Sequence, residues 1–271
     1  MAQRVVRTGI GQRGIATVTL DRAAVHNAYD EQMIAELGDG LAAFAEDPRV
    51  RLLVLRGAGR HFQAGADLAC LKRLADAPAE VNLDFSWRTT EAMRRLGAFP
   101  RPTLALVHGA CYGGGVGMVA ACDIAIASET ASFALTEVRW GLIPAPIIPQ
   151  LCAAMGVRSL RRYGITGERF DAREALRIGL IHEICAEGAL DRAAAPVIEA
   201  VLQSAPQAVA DSKRLVLAAA GLELSPQQVV ALASQAAARR ASPEAAEGLQ
   251  SFLAKRRPSW YPPAPYPDGA T

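Results

Sequence analysis

Lysine is almost missing from this chain: Lys72, Lys213 and Lys255 are the only three, and arginine carries nearly all the positive charge. Neither sign dominates, because 29 basic and 27 acidic residues leave a net charge of +2. That balance gives no electrostatic reason to expect a nucleic-acid partner. Aromatic residues are few, at 6%, yet 51% of the 271 residues are hydrophobic and only 21% charged. Such a composition excludes a disordered chain and suffices for one large core or two modest ones. Cysteine pairs at metal or redox spacing are lacking: Cys70, Cys111, Cys122, Cys152 and Cys185 lie scattered in apolar stretches, with no histidine at ligand spacing. No apolar segment follows Met1-Ala2-Gln3-Arg4, so secretion is not expected. Together these features predict reduced, mostly buried thiols in a cytoplasmic protein that requires no metal.

One uncharged run, 103–122, is long enough to span a bilayer. It contains His108 and also Gly109, Gly113, Gly114, Gly115 and Gly117, and glycine clusters break a single spanning helix. A buried strand, a loop and a helix in a soluble chain are the expectation. Two catalytic signatures are missing as well. No Gly-x-x-x-x-Gly-Lys loop is present for nucleotide phosphates, and no Gly-x-Ser-x-Gly elbow for a hydrolase nucleophile.

What is present alternates in period. Residues 15–20, 52–55, 103–107 and 124–127 read as strands, short and β-branched or leucine-rich. Met33, Ile34, Leu37, Leu41 and Phe44 recur at helical spacing behind Asp30 as a cap. Strand, helix and strand in succession predict an α/β core with right-handed crossovers. Beyond about residue 170 the pattern turns helical. Asp171 with Glu174 resembles a capping box, with Gly179 to close the helix. Ser242-Pro243-Glu244 is a second strong start signal. The stretch 206–256 is expected to form a helical layer with alanine-rich faces for the core or a neighbouring subunit. The tail from Pro258 holds Pro262, Pro263, Pro265 and Pro267, which excludes regular helix and predicts extended, partly disordered chain.

Three stretches combine the residue types that chemistry needs. In His61-Phe62-Gln63-Ala64-Gly65-Ala66-Asp67-Leu68, small residues follow a strand and a helix opens near Asp67, presenting free N–H groups to a ligand. His108 to Gly117 repeats the arrangement, and two N–H groups from separate loops would form an oxyanion hole. Taken singly, each segment reads equally well as an ordinary turn before a helix. Gly115-x-Gly117-x-x-Ala120 imitates a dinucleotide fingerprint, but the next strand ends without the acid that binding requires. Cys111 has no base at a telling distance and reads as a core residue. In the third stretch, Glu137 is framed by Phe133, Leu135, Trp140, Leu142 and Ile143. Such a frame desolvates a carboxyl and raises its pKa toward neutrality, where it can give or take a proton. Arg139 beside it reads as half of a surface ion pair.

In order and spacing these stretches resemble the crotonase (enoyl-CoA hydratase/isomerase) superfamily, closest to its bacterial methylglutaconyl- and isohexenylglutaconyl-CoA hydratase-like members. The matching text is Leu20-Asp21-Arg22 with His26-Asn27-Ala28, then Phe62 to Leu68, Gly113-Gly114-Gly115, Cys122 to Ala125, Phe133 to Glu137, Gly141 to Pro144 and Glu247 to Arg256. The resemblance implies an α/β fold, a spiral of ββα units over 1–203, then a helical trimerisation region over 204–257 and a proline-rich tail over 258–271. It also implies a trimer or a dimer of trimers, and coenzyme A as part of a thioester substrate with no tightly bound cofactor. By position, the N–H groups of Ala66 and Gly114 hold the thioester oxygen while Glu137 handles the α-carbon proton. Arg22, Val25, Ala64, Asp67 and Leu68 match the segments that wrap the CoA nucleotide. Phe252 and Lys255 match C-terminal positions that reach a CoA site, sometimes a neighbour's.

One departure stands out. Straight-chain hydratases of this superfamily carry a second glutamate where this chain has Gly117. The expected activity is therefore water addition to, or removal from, an enoyl-CoA, with a branched glutaconyl-CoA favoured by the run Glu137 to Ala145. A distal carboxylate on the substrate is one candidate for activating water, and Arg139 is then its partner or else pairs with a surface acid. A one-glutamate double-bond isomerase and a catalytically silent acyl-CoA binder are the alternatives.

Overall fold

The computed structural model describes residues 4–260. It begins with a β-hairpin, β1 (Val6–Ile10) and β2 (Ile15–Leu20), followed by α1 (Glu31–Glu46) and β3 (Leu52–Gly57). Next come α2 (Leu68–Ala75), α3 (Ala79–Gly97), β4 (Thr103–Val107), β5 (Ala110–Tyr112) and α4 (Gly114–Ala121). The strands β6 (Ile124–Ser128) and β7 (Ser132–Ala134) precede α5 (Ile148–Thr166), β8 (Phe170–Asp171), α6 (Ala172–Arg177) and β9 (Glu183–Cys185). Four helices close the described chain: α7 (Leu190–Gln203), α8 (Pro206–Ala219), α9 (Pro226–Arg240) and α10 (Pro243–Leu253).

Two sheets result. The larger runs β1-β2-β3-β4-β6-β9, antiparallel only at the first pair. The smaller runs β5-β7-β8. Single parallel bridges, Tyr29 with Ala66 and Gln63 with Cys111, extend the smaller sheet toward the N-terminal part of the chain. Each turn thus lays one segment in each sheet and returns through a helix, the expected ββα spiral. Parallel strands buried on both faces need near-continuous apolar sequence, and β4, Thr103 to Val107, is buried at every residue. The run 103–122 forms the expected strand and helix, but the stretch expected as a loop between them holds the short strand β5. No helix of the described residues is long and apolar enough to cross a membrane.

The helix starts follow local chemistry. Asp30 caps α1 by accepting from the Met33 amide at 2.9 Å, and Ser242 caps α10 through Ala245. Asp171 accepts from Glu174 N at 2.8 Å, but the reciprocal half of the box is absent. The Glu174 carboxylate instead takes the Tyr163 hydroxyl and the Arg177 guanidinium, which are charge-assisted or ionic partners and outcompete a backbone amide. The five cysteines are unpaired, and Cys111 is fully buried, its thiol pushed well above the ordinary range by desolvation.

The stretch 204–257 is helical throughout its α8, α9 and α10, and it packs back on its own chain. Helix α9 lies along α3, while α10 lies against α2 and the short 3-10 turn Glu137–Trp140. Ala245 and Leu249 of α10 belong to the main hydrophobic core. Helix α8 stays at the surface with no buried residue. Of the proline-rich tail, Pro262, Pro263, Pro265 and Pro267 lie outside the described residues.

Candidate active site

A cavity of about 590 Å³ adjoins the glycine loops. Three segments from successive turns of the spiral form its floor, and each is held by a specific lock. The first is the turn 22–29. Asn27, fully buried and with φ of 58°, donates through Nδ2 to the carbonyls of Ala58, His61 and Phe62. Its Oδ1 accepts from the Arg22 amide at 2.8 Å. The second is the loop 63–67, where buried Gln63 accepts from Gly65 N at 2.9 Å and donates back to the Gly65 carbonyl at 2.7 Å. Gly65 needs its φ of 91°, a backbone region that side chains disfavour. The third is the junction of β5 and α4, where Gly113 adopts φ of 52°.

These locks leave particular amides unused. Tyr29 N donates to the Gly65 carbonyl and Asp67 N to the Tyr29 carbonyl, so the bridge skips the Ala66 N–H. Gly114 opens α4, and the first amides of a helix have no partner within it. No hydrogen bond engages the N–H of Ala66 or Gly114 among the described residues, and both residues line the cavity. The free amides expected at the start of α2 are found in part. Among the described residues no hydrogen bond engages Leu68 N, while the Asp67 carboxylate accepts from Ala69 N and Cys70 N, and the Ala66 amide comes from the loop before that helix.

Opposite these amides stands Glu137, on the turn Glu137–Trp140. A Cβ added to Gly113 would lie 2.9 Å from Glu137 Oε1, so only glycine allows the carboxyl to sit against the start of α4. Glu137 Oε2 is buried without a hydrogen-bond partner. Desolvation, with no cation to offset it, pushes the carboxyl up to about 7. The turn is clamped from outside. A Cβ on Gly141 would lie 2.6 Å from the Glu244 carbonyl oxygen, and one on Gly248 would overlap the Trp140 carbonyl. Those two glycines let α10 rest directly on the Glu137 turn.

Gly117 faces a different neighbour. A Cβ there would overlap Ile147 Cγ2 and lie 2.5 Å from Ile147 Cβ. The space a second glutamate needs is therefore filled by an isoleucine, and Asp67 is the only other carboxylate residue of the lining. Asp67 is committed to the Arg22 guanidinium at 3.2 Å and to its helix cap.

Of the positions matched to the CoA nucleotide, Val25, Ala64, Asp67 and Leu68 line the cavity. Arg22 does not; its guanidinium joins Asp30 at 3.1 Å and Asp67, and donates to the Ala28 carbonyl. Phe252 lines the cavity of its own chain and meets Trp140 edge-on, with ring centroids 4.9 Å apart. Lys255 lies just past α10, outside the lining. Arg139 is exposed at the cavity wall and makes no ion pair among the described residues, so the surface-pair expectation fails there. Among the described residues no group of three or more His, Cys, Asp or Glu gathers as a metal site.

Two lining residues carry no signal that a motif search would flag. The Tyr29 hydroxyl lies beside Gly114, and burial together with nearby Glu137 raises its pKa. Arg240 from α9 is 7% exposed and lines the cavity. A helical-wheel reading finds it, because Val229, Ala233, Ala236 and Ala237 form the buried stripe that Arg240 continues.

The match to known proteins covers this whole frame. The enoyl-CoA hydratase/isomerase family model matches residues 11–262. A solved structure titled as an enoyl-CoA hydratase from Shewanella pealeana is 42% identical, with a TM-score of 0.76, covering 94% of this chain and 96% of that one. Another, from Mycobacterium avium, is 34% identical with a TM-score of 0.83, covering 96% and 100%. The carnitinyl-CoA dehydratase of Citrobacter koseri is 30% identical over 256 residues, spanning 91% of this chain and 94% of its own length.

Proposed function

The chain belongs to the enoyl-CoA hydratase/isomerase family, and from that premise we propose that it is a hydro-lyase acting on an acyl-CoA thioester through an enolate. The observation that carries the reading is Glu137, a buried carboxyl with an unpartnered oxygen, in one cavity with two unused backbone amides. The amides of Ala66 and Gly114 hold the thioester oxygen as negative charge develops on it. One such donor contributes about 3–4 kcal/mol to a transition state. Water adds to the β-carbon and gives up its proton to solvent, and the electron pair of the double bond moves onto the thioester oxygen. Protonated Glu137 gives its proton to the α-carbon and is reprotonated from solvent. Dehydration runs the same steps backward, with ionised Glu137 taking the proton. Val25, Ala64, Asp67, Leu68 and Phe252 form the CoA side of the cavity in this reading, with Arg22 and Lys255 at its margin.

The finer proposal is a branched glutaconyl-CoA as substrate, supported by the run Glu137 to Ala145 and by the missing second glutamate. A second reading has an observation of its own. Glu137 is the only carboxylate of the lining outside an ion pair, which suits a one-base isomerase that removes a proton at one carbon and returns it at another. Assembly into a trimer or a dimer of trimers belongs to the same proposal; Leu215 and Val216, 60% and 65% exposed on α8, support it. Light scattering on the purified protein reads the assembly.

Incubation with enoyl-CoA esters in heavy water separates the chemistries, read by mass spectrometry and proton NMR. The set includes a straight chain, a β,γ-unsaturated chain and 3-methylglutaconyl-CoA. Water addition to the branched acid is the expected result. Double-bond migration without added water would establish the isomerase, and bound but unchanged esters would leave a silent binder.

A further inference from the structure

Arg240 is a buried cation without a counter-ion. Its Nη1 donates to Ser86 Oγ at 3.0 Å, to the Asn82 side-chain oxygen and, at 3.4 Å, to the Asn82 carbonyl. All these acceptors are neutral. The guanidinium lies over the Phe85 ring, 5.2 Å from its centroid, and the same ring stacks on Tyr29 at 6.4 Å. No carboxylate pairs with Arg240 among the described residues. Nε is buried with no partner, and no hydrogen bond engages Nη2. Burial without compensation lowers the guanidinium pKa from its ordinary value.

The unpaired atoms matter by their position. Nη1 faces helix α3, which leaves the Nε–Nη2 edge, one of the forks that accepts a carboxylate through two parallel hydrogen bonds. An isolated charge taken from water is costly unless it is paired. The protein nonetheless keeps Arg240 at the cavity wall and fixes it through Asn82 and Ser86. Asn82 itself is held, donating to the Ala237 carbonyl at 2.9 Å. Glu137 does not serve as the missing anion, since its own carboxyl is raised with no cation lowering it.

We infer that Arg240 is the recognition residue for a carboxylate at the far end of the acyl chain, so that the ligand is the CoA thioester of a dicarboxylic acid. This rests on the acyl-CoA reading above and deepens it by naming the residue that selects the distal carboxylate which a glutaconyl chain carries. The thioester end lies at Ala66 and Gly114, and the distal carboxylate closes on the Nε–Nη2 edge of Arg240. Arg139, exposed at the wall, is a poorer anchor because solvent screens it.

Calorimetric binding of saturated, unreactive esters tests this without turnover. Succinyl-, glutaryl- and adipyl-CoA are each compared with the neutral terminal amide of equal length, on the wild type and on Arg240→Met and Arg240→Lys. The wild type is expected to prefer at least one carboxylate over its amide, by about 30-fold or more. Arg240→Met is expected to abolish that preference while amide binding stays within a few-fold. Should the methionine variant not fold, Arg240→Lys, which keeps the charge but loses the fork, is expected to reduce the preference about tenfold. Equal weakening of acid and amide would make Arg240 only a tie between α3 and α9 and overturn the inference. A wild type without preference at every length overturns it too, leaving the acyl-CoA reading intact. A wild type that binds none of the esters removes that reading, and this one with it.

Discussion

At Glu137 one buried carboxyl sets both pH dependence and stability. Its pKa of about 7 lies above the ordinary 4.5 because desolvation penalises the anion. Hydration uses the acid form, so its kcat is expected to fall as pH rises through about 7. Dehydration uses the anion together with a proton that solvent supplies to the departing hydroxide, and because hydration consumes no net proton the two directions share one pH dependence in kcat/KM. Matching limbs in the two directions, measured on one substrate pair, check the assignment. Glu137→Gln is expected to lower kcat by about 10²–10⁴-fold while ester binding stays within a few-fold. The same shift works against folding. The native state holds its proton more tightly than the unfolded chain, so stability falls as pH rises from about 4.5 to 7 and stays lower above. Glutamine removes that loss, and Glu137→Gln is expected to gain up to about 2–3 kcal/mol at pH 8 by urea titration. Asn27 is the counter-example, a polar residue whose burial stabilises. Asn27→Ala strands three carbonyls and keeps the left-handed turn, with an expected loss of about 2–4 kcal/mol.

Among elements, the contact between α10 and the Glu137 turn is made by absent side chains. Gly141 and Gly248 bring backbone against backbone, and Gly248 sits where any Cβ overlaps Trp140. Gly248→Ala is expected to cost about 1–3 kcal/mol by overpacking and to lower kcat as the turn shifts. An alanine at the unobstructed Gly38 of α1, with nothing within 4 Å of its Cβ, is the control. The contact of α4 with Ile147 follows the same logic. Gly117→Glu alone is expected to destabilise the protein without conferring straight-chain hydration. Adding Ile147→Ala relieves the overlap, so the two changes are expected to be strongly non-additive in a denaturation cycle. The boundaries of these helices were legible from caps at Asp30, Asp171 and Ser242. The tight approaches were not, since a glycine in the sequence does not reveal what presses against it.

Across the molecule, the spiral and the C-terminal helices share one core. Leu249 of α10 is fully buried in the cluster that holds Leu37, Leu55 and Val107 of the spiral. Leu249→Ala is expected to cost about 2–5 kcal/mol. The transition is expected to stay single, with far-ultraviolet circular dichroism and tryptophan fluorescence coinciding. Separate transitions would mean that 204–257 folds as its own unit. Packing of α9 along α3 also closes the cavity wall with Arg240, so the region that resembles an assembly module shapes the site of its own chain.

The sequence by itself determined the α/β class, four of the six strands of the larger sheet (β2, β3, β4 and β6) and the capped helix starts at Asp30, Asp171 and Ser242, because these depend on hydrophobic period and on caps a few residues away. It also marked Glu137 and the two loops 61–68 and 108–117, since small residues at turns and an acid in an apolar frame are local patterns, and the family resemblance singled out Ala66 and Gly114 within them. The tertiary structure alone decided which amides stay unused, that Ile147 occupies the place of a second acid, and that Arg240 reaches the cavity without a counter-ion. Those properties belong to pairs of residues far apart in the chain. Desolvation, overlap and pairing arise only when folding brings such residues together.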